Sequence, residues 1–105
     1  MSRFVLAAEA RDVLNGRSKV VDVEGRTIAI FNVDGTFIAV DNACPHLGGP
    51  LGDGQIENGR VRCPLHGWTF DLLTGENLLV PHVQLEHVPV RLEGGEIYVD
   101  MEAAE

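Results

Sequence analysis

The chain has 105 residues, of which 45% are apolar, and a formal net charge of -8. This length allows one domain, residues 1–105, and the excess of acid excludes nucleic acid as a partner, because phosphate backbones bind basic surfaces. No apolar run approaches the ~20 residues of a membrane span, and the start lacks the basic and apolar stretches of a signal peptide. We therefore expect a cytoplasmic protein with no membrane partner.

Short β-branched or alternating runs recur along the chain and are typical of β-strands. They lie at 4–6, 20–23, 27–31, 37–40, 88–92 and 97–99. Four dipeptides that tolerate positive φ predict tight hairpin turns: Glu24-Gly25, Asp34-Gly35, Asn58-Gly59 and Gly94-Gly95. The stretch Ala7–Leu14 predicts one short helix that ends near Asn15-Gly16. The sequence as a whole predicts an antiparallel, all-β protein.

Two similar segments, Cys44-Pro45-His46 and Cys63-Pro64-Leu65-His66, offer two thiolates and two imidazoles. Sixteen residues separate them, and these include a predicted hairpin at 55–57 and 60–62 that would place the segments side by side. Thiolate and imidazole are ligands of both zinc and iron. The pattern therefore predicts a metal centre.

Extended along the chain, the segments read Cys-Pro-His-Leu-Gly-Gly-Pro (44–50) and Cys-Pro-Leu-His-Gly-Trp-Thr-Phe-Asp (63–71). Both resemble the loops of the Rieske family, and the resemblance covers nearly the whole chain. It implies a Rieske-like antiparallel β-sandwich with an inserted cluster-binding subdomain at about 42–73. It also implies one Rieske-type 2Fe-2S cluster, with two cysteines on one iron and two histidines on the other: Cys44, Cys63, His46 and His66.

The resemblance implies an electron carrier rather than an enzyme. Small Rieske-type ferredoxins pass single electrons from a flavin-dependent NAD(P)H reductase to a terminal oxygenase of aromatic rings, and we expect the same partners and a monomer here. The Rieske-like small subunit of an NAD(P)H nitrite reductase stays open as an alternative. The predicted docking surface consists of His46 and His66 with the apolar residues around them, Leu47, Leu65 and Trp68.

The residues after the second segment bear on the reduction potential. High-potential Rieske proteins follow the second histidine with Gly-Ser-x-Tyr, and hydroxyls near the cluster stabilise its reduced, more negative form. Here the same positions hold Gly67-Trp68-Thr69-Phe70, without the Ser and Tyr hydroxyls. We therefore expect a potential of roughly -150 to 0 mV. Trp68 could line the docking surface, but we favour packing beneath its loop.

Three other interpretations of the Cys and His residues stay open. A structural zinc site would use the same four ligands, although zinc fingers favour C-x2-4-C paired with H-x3-5-H. A disulfide between the two cysteines conflicts with a cytoplasmic setting. The spacing of His82 and His87 matches the mononuclear iron motif of Rieske oxygenases, but Leu79 stands where that motif has Asp. We expect both histidines to be structural or surface residues.

Overall fold

The computed structural model describes residues 2–43, 49–64 and 67–102. Two 3-10 turns, Ala10–Asp12 and Leu51–Asp53, lie in these ranges together with strands β1 to β10. The strands are β1 Phe4–Glu9, β2 Ser18–Val23, β3 Arg26–Val33, β4 Thr36–Asp41, β5 Gln55–Glu57, β6 Arg60–Arg62, β7 Thr69–Asp71, β8 His87–Val88, β9 Val90–Glu93 and β10 Glu96–Asp100. The predicted all-β class is confirmed. In the described ranges we find no helix capable of spanning a bilayer.

The strands form three antiparallel sheets, with β2-β3-β4-β8 between β1-β10-β9 and β5-β6-β7. Successive residues of β3 face opposite sides, as strand geometry dictates. Ile30 belongs to a core cluster with Val99 of β10, whereas its neighbour Phe31 belongs to a second cluster with Phe70 of β7. Because the central sheet is buried on both faces, β3 is apolar at every position from 28 to 31.

The predicted hairpin turns are confirmed. Glu24, Asp34, Asn58 and Gly94 have φ values of 52°, 50°, 52° and 57°, and each precedes a glycine that also has positive φ. Two consecutive positive φ angles match the twist of antiparallel strands in a two-residue turn. The Asn58 turn joins β5 to β6, which have the predicted bounds.

The predicted helix at Ala7–Leu14 is wrong. Strand β1 continues to Glu9, and only Ala10–Asp12 form a single 3-10 turn. Ala8 is buried and pairs with Ile97 of β10, after a β-bulge in β1. This long-range pairing satisfies the backbone and buries the alanine, which outweighs the helix propensity of an alanine-rich segment.

Two ionisable pairs have shifted pKa values, one between Arg3 and Glu24 of the β2–β3 turn and one within β10. Arg3 donates from both terminal nitrogens to the two carboxylate oxygens of Glu24, at 2.7 and 2.8 Å. This hydrogen bonding lowers the pKa of the Glu24 carboxyl and raises the pKa of Arg3. The negative charge of Glu96 raises the pKa of Tyr98, whose hydroxyl donates to it at 3.2 Å.

Gly54 connects the second 3-10 turn to β5 at a point of close backbone approach. Its φ of -76° suits any residue, but a Cβ there would lie 2.3 Å from the carbonyl oxygen of Arg62. We expect Gly54→Ala to lower the free energy of unfolding by about 1–3 kcal/mol, because backbone cannot move aside as a side chain does. Thermal unfolding followed by circular dichroism measures this loss. The exposed neighbour Asp53→Ala is the control, and an unchanged midpoint for Gly54→Ala would contradict the close contact.

Candidate metal centre

Each cysteine-containing segment lies between two residues that pair with each other as antiparallel strands do. Ala43 and Pro50 form one such pair, and Arg62 of β6 faces Thr69 of β7 in the other. Six residues lie between the partners of each pair, and the first of the six is a cysteine in both cases. The backbone is therefore fixed immediately before and after each segment.

The end of the first segment and the start of the second are anchored in one core. Leu51 donates its backbone N–H to the carbonyl oxygen of Asn42 at 2.8 Å, and Gly52 donates to the Asn42 side-chain oxygen at 2.8 Å. Leu51 and Cys63 are buried in the same core cluster. The two segments are thus held by a common set of packed side chains.

Cys63 is 1% exposed. Its backbone N–H donates to the carbonyl oxygen of Trp68 at 2.7 Å, and Gly67 takes a φ of 66° between the two. Trp68 is partly buried against the core cluster that contains Cys63, as predicted for packing beneath the segment. Protein therefore shields the cysteine from water.

A cleft of about 200 Å³ opens beside Cys63. Asp53 and Gly54 line it from the second 3-10 turn, and Cys63, Pro64 and Gly67 line it from the second segment. Asp53 contributes an exposed carboxylate to this cleft, whereas Glu57 lines a different and larger cleft.

Of the four predicted ligands, the structure describes Cys63. Cys44, His46 and His66 lie outside the described residues, as do Leu47 and Leu65 of the predicted docking surface. A buried cysteine that lines a cleft fits a metal cluster bound by thiolate. Two thiolates and two neutral imidazoles would also balance the charge of two ferric ions and two sulfides, so the donor set fits a 2Fe-2S cluster.

Arg62 was not identified from the sequence as part of this region. A Cβ on Gly67 would lie 2.8 Å from the Arg62 Nη2 atom, so the guanidinium rests against the second segment. The position of Arg62 directly before Cys63 is the one sequence feature that could have indicated this proximity. A positive charge therefore lies beside Gly67, in the cleft that Cys63 also lines.

The other two histidines are structural or surface residues, as predicted. The Nε2 atom of His87 lies 2.8 Å from the carbonyl oxygen of Leu72, within hydrogen-bonding distance. His82 is exposed on the segment after β7.

Comparison with known proteins identifies a family model and similar proteins along nearly the whole chain. A model described as the Rieske [2Fe-2S] domain matches residues 3–91. The ferredoxin component of the naphthalene 1,2-dioxygenase system of Pseudomonas putida is 34% identical over 100 residues, which cover 94% of this chain and 96% of that protein. The ferredoxin subunit of 3-phenylpropionate/cinnamic acid dioxygenase of Escherichia coli K12 is 36% identical over 103 residues, with 96% of both chains covered.

Solved structures of ferredoxins and of a nitrite reductase small subunit have the same fold as this chain. A ferredoxin in a complex of reduced oxygenase and oxidised ferredoxin, from carbazole 1,9a-dioxygenase, superposes with a TM-score of 0.84 at 28% identity, covering 92% of both chains. The small subunit of a putative NADH-dependent nitrite reductase from Mycobacterium tuberculosis superposes with a TM-score of 0.86 at 26% identity, covering 98% of both chains. Both subclasses predicted from the sequence are therefore represented among the structural neighbours.

Proposed function

The chain belongs to the Rieske [2Fe-2S] domain family, and we propose that it carries single electrons from a flavin-dependent NAD(P)H reductase to a terminal aromatic-ring oxygenase. The main support for this proposal is the similarity of the chain, over at least 94% of its length, to ferredoxin components of two dioxygenase systems. Those relatives are electron carriers rather than catalytic subunits. We assign no catalytic residue to this chain.

The proposed cluster ligands are Cys44 and Cys63 on one iron, and His46 and His66 on the other, within a cluster-binding subdomain at about 42–73. The bound cluster supplies reversible one-electron chemistry. The burial of Cys63 supports a site shielded on its cysteine side. Electron exchange is then assigned to the histidine side.

We place the docking surface at the two histidine ligands and the adjacent apolar residues Leu47, Leu65 and Trp68. A small contact suits a carrier that must bind and release two partners in each cycle. The carbazole dioxygenase complex, in which a similar ferredoxin is bound to its oxygenase, supports an oxygenase as one of these partners.

The nitrite reductase small subunit is the second candidate, and the observation in its favour is its close superposition on this chain. Its 26% identity is lower than the 34% and 36% of the dioxygenase ferredoxins. The ferredoxin assignment therefore has the stronger support.

We also propose that the protein is cytoplasmic and monomeric. Two cysteines that serve as thiolate ligands suit a reducing compartment, where disulfides are rare. Cell fractionation and sedimentation of the purified protein test these two statements directly.

Electron transfer with partners from the same organism tests the proposed role. The wild-type protein should couple NADH oxidation by the reductase to turnover of an aromatic substrate by the oxygenase, and Cys63→Ser should abolish the coupling. Nitrite-dependent NAD(P)H oxidation that requires this protein, without any coupling to an oxygenase, would move the assignment to the second candidate.

A further inference from the structure

A polar cleft of about 710 Å³ lies at the side of the cluster-binding region. The start of β2, the second 3-10 turn, the β5–β6 hairpin and Thr69 of β7 form its walls. Ser18 donates its hydroxyl hydrogen to the carbonyl oxygen of Gly52 at 2.8 Å, which ties two of these walls together. Three arginines line the cleft: Arg17, Arg60 and Arg62.

The distribution of ion pairs sets these three arginines apart. The chain has eight Lys and Arg residues, and five of them form ion pairs with carboxylates. The five are Arg3, Arg11, Lys19, Arg26 and Arg91. Among the described residues, Arg17, Arg60 and Arg62 have no such partner, and all three line one cleft. Glu57 also lines this cleft, so the lining holds three positive charges and one negative charge and is net positive in a protein of net charge -8.

The chemistry of this cleft favours carboxylates. A guanidinium presents a planar fork of donors that binds a carboxylate through two parallel hydrogen bonds. The volume of the cleft is that of a site for a molecule of many atoms rather than for one small anion. Carboxylate side chains of one protein segment would fit it, because the lining is polar and includes three cations against the single carboxylate of Glu57.

The position of the cleft connects it to electron transfer. Arg62 lines the cleft, rests against Gly67 and directly precedes Cys63. A segment bound in the cleft would therefore lie beside the second ligand segment. A relative seen in complex with its oxygenase provides the partner class for such a contact.

We propose that Arg17, Arg60 and Arg62 bind an acidic segment of the terminal oxygenase and orient the carrier for electron transfer. This inference rests on the proposed function, and it adds a partner contact to the docking surface proposed at the histidine ligands. Charge pairs at the rim of an interface act chiefly on the association rate, and salt weakens them.

The test compares two triple variants of equal charge. Arg17→Gln/Arg60→Gln/Arg62→Gln removes the cleft cations, and the control Arg3→Gln/Arg11→Gln/Arg91→Gln removes three that are paired elsewhere. Both change the net charge from -8 to -11. Stopped-flow mixing of the reduced carrier with oxidised oxygenase, at low and high salt, gives the second-order rate constant. Visible absorption and circular dichroism confirm that each variant is folded and holds its cluster.

We expect the cleft variant to react about tenfold more slowly at low salt, with a smaller salt dependence, and the control to stay within about threefold of wild type. The double variant Arg17→Gln/Arg60→Gln keeps the Arg62–Gly67 contact, and its rate constant should lie between those of wild type and the triple cleft variant. Equal reduction potentials of all variants would exclude a change in driving force as the cause.

Equal slowing of both triple variants would overturn the proposal in favour of a general field effect. If the cleft variant slowed only electron transfer from the reductase, the oxygenase would be wrong as the partner bound by the cleft. Binding of inorganic pyrophosphate by wild type, with unchanged electron transfer in the cleft variant, would identify a free-anion site instead. If the wild-type carrier fails to reduce the oxygenase at all, the proposed function fails, which differs from any of these results.

Discussion

Replacement of Cys63 by alanine is expected to abolish the visible absorption of the 2Fe-2S cluster. Cys63 is buried at the base of the second segment, and an alanine there has no thiolate to hold iron. A cofactor that binds only the folded chain stabilises it by several kcal/mol, and a domain of this size loses about 4–8 °C of melting temperature per kcal/mol. The apparent melting temperature should therefore fall by at least about 10 °C, measured by circular dichroism.

The matched control for this prediction is wild-type protein freed of iron by a chelator. It should melt close to Cys63→Ala, because removal of one thiol from the core costs little beside loss of the cluster. A variant that keeps its iron and its colour would contradict the role of Cys63. Stoichiometric zinc in the wild-type protein, with no iron, would favour the structural zinc site instead.

Phenylalanine at position 70 is expected to keep the reduction potential low. Phe70 is fully buried and belongs to the same core cluster as Cys63. By resemblance to the Gly-Ser-x-Tyr loops, Phe70→Tyr should supply a hydroxyl hydrogen bond that stabilises the reduced cluster. At about 1.5–3 kcal/mol for a bond to a charged group, the potential should rise by about 65–130 mV.

The control for this substitution is Phe37→Tyr. Phe37 packs partly buried against the other core cluster, so its hydroxyl should leave the potential unchanged. Redox titration of the three proteins measures the difference. An equal shift in both variants, or none in Phe70→Tyr, would show that hydroxyls at this position do not set the potential of this protein.

Local conformational requirements explain which parts of the fold were predicted from the sequence. The turns at Glu24, Asp34 and Asn58 depend on two adjacent residues that tolerate positive φ, and the structure contains all three. The run at 28–31 predicted a strand but not its burial on both faces, because that burial depends on two other sheets. The strand Phe4–Glu9 extends beyond its prediction for the same kind of reason, since β10 is remote in sequence.

The metal centre was predicted from a short motif, whereas its surroundings were not. Cysteine and histidine side chains are themselves metal ligands, so their spacing in the sequence was enough to predict the cofactor class. The family match confirms that class. The arginine cleft has no such motif. Arg17 is far from Arg60 and Arg62 in the chain, and their common position depends on packing between sheets.

The most direct test of the central claim is a redox titration of the purified protein, followed by EPR at low temperature. The account predicts a rhombic signal of low average g that appears on one-electron reduction at roughly -150 to 0 mV. A potential near +300 mV would contradict the interpretation of Trp68 and Phe70. A protein that contains zinc and gives no signal would contradict the electron-carrier assignment itself.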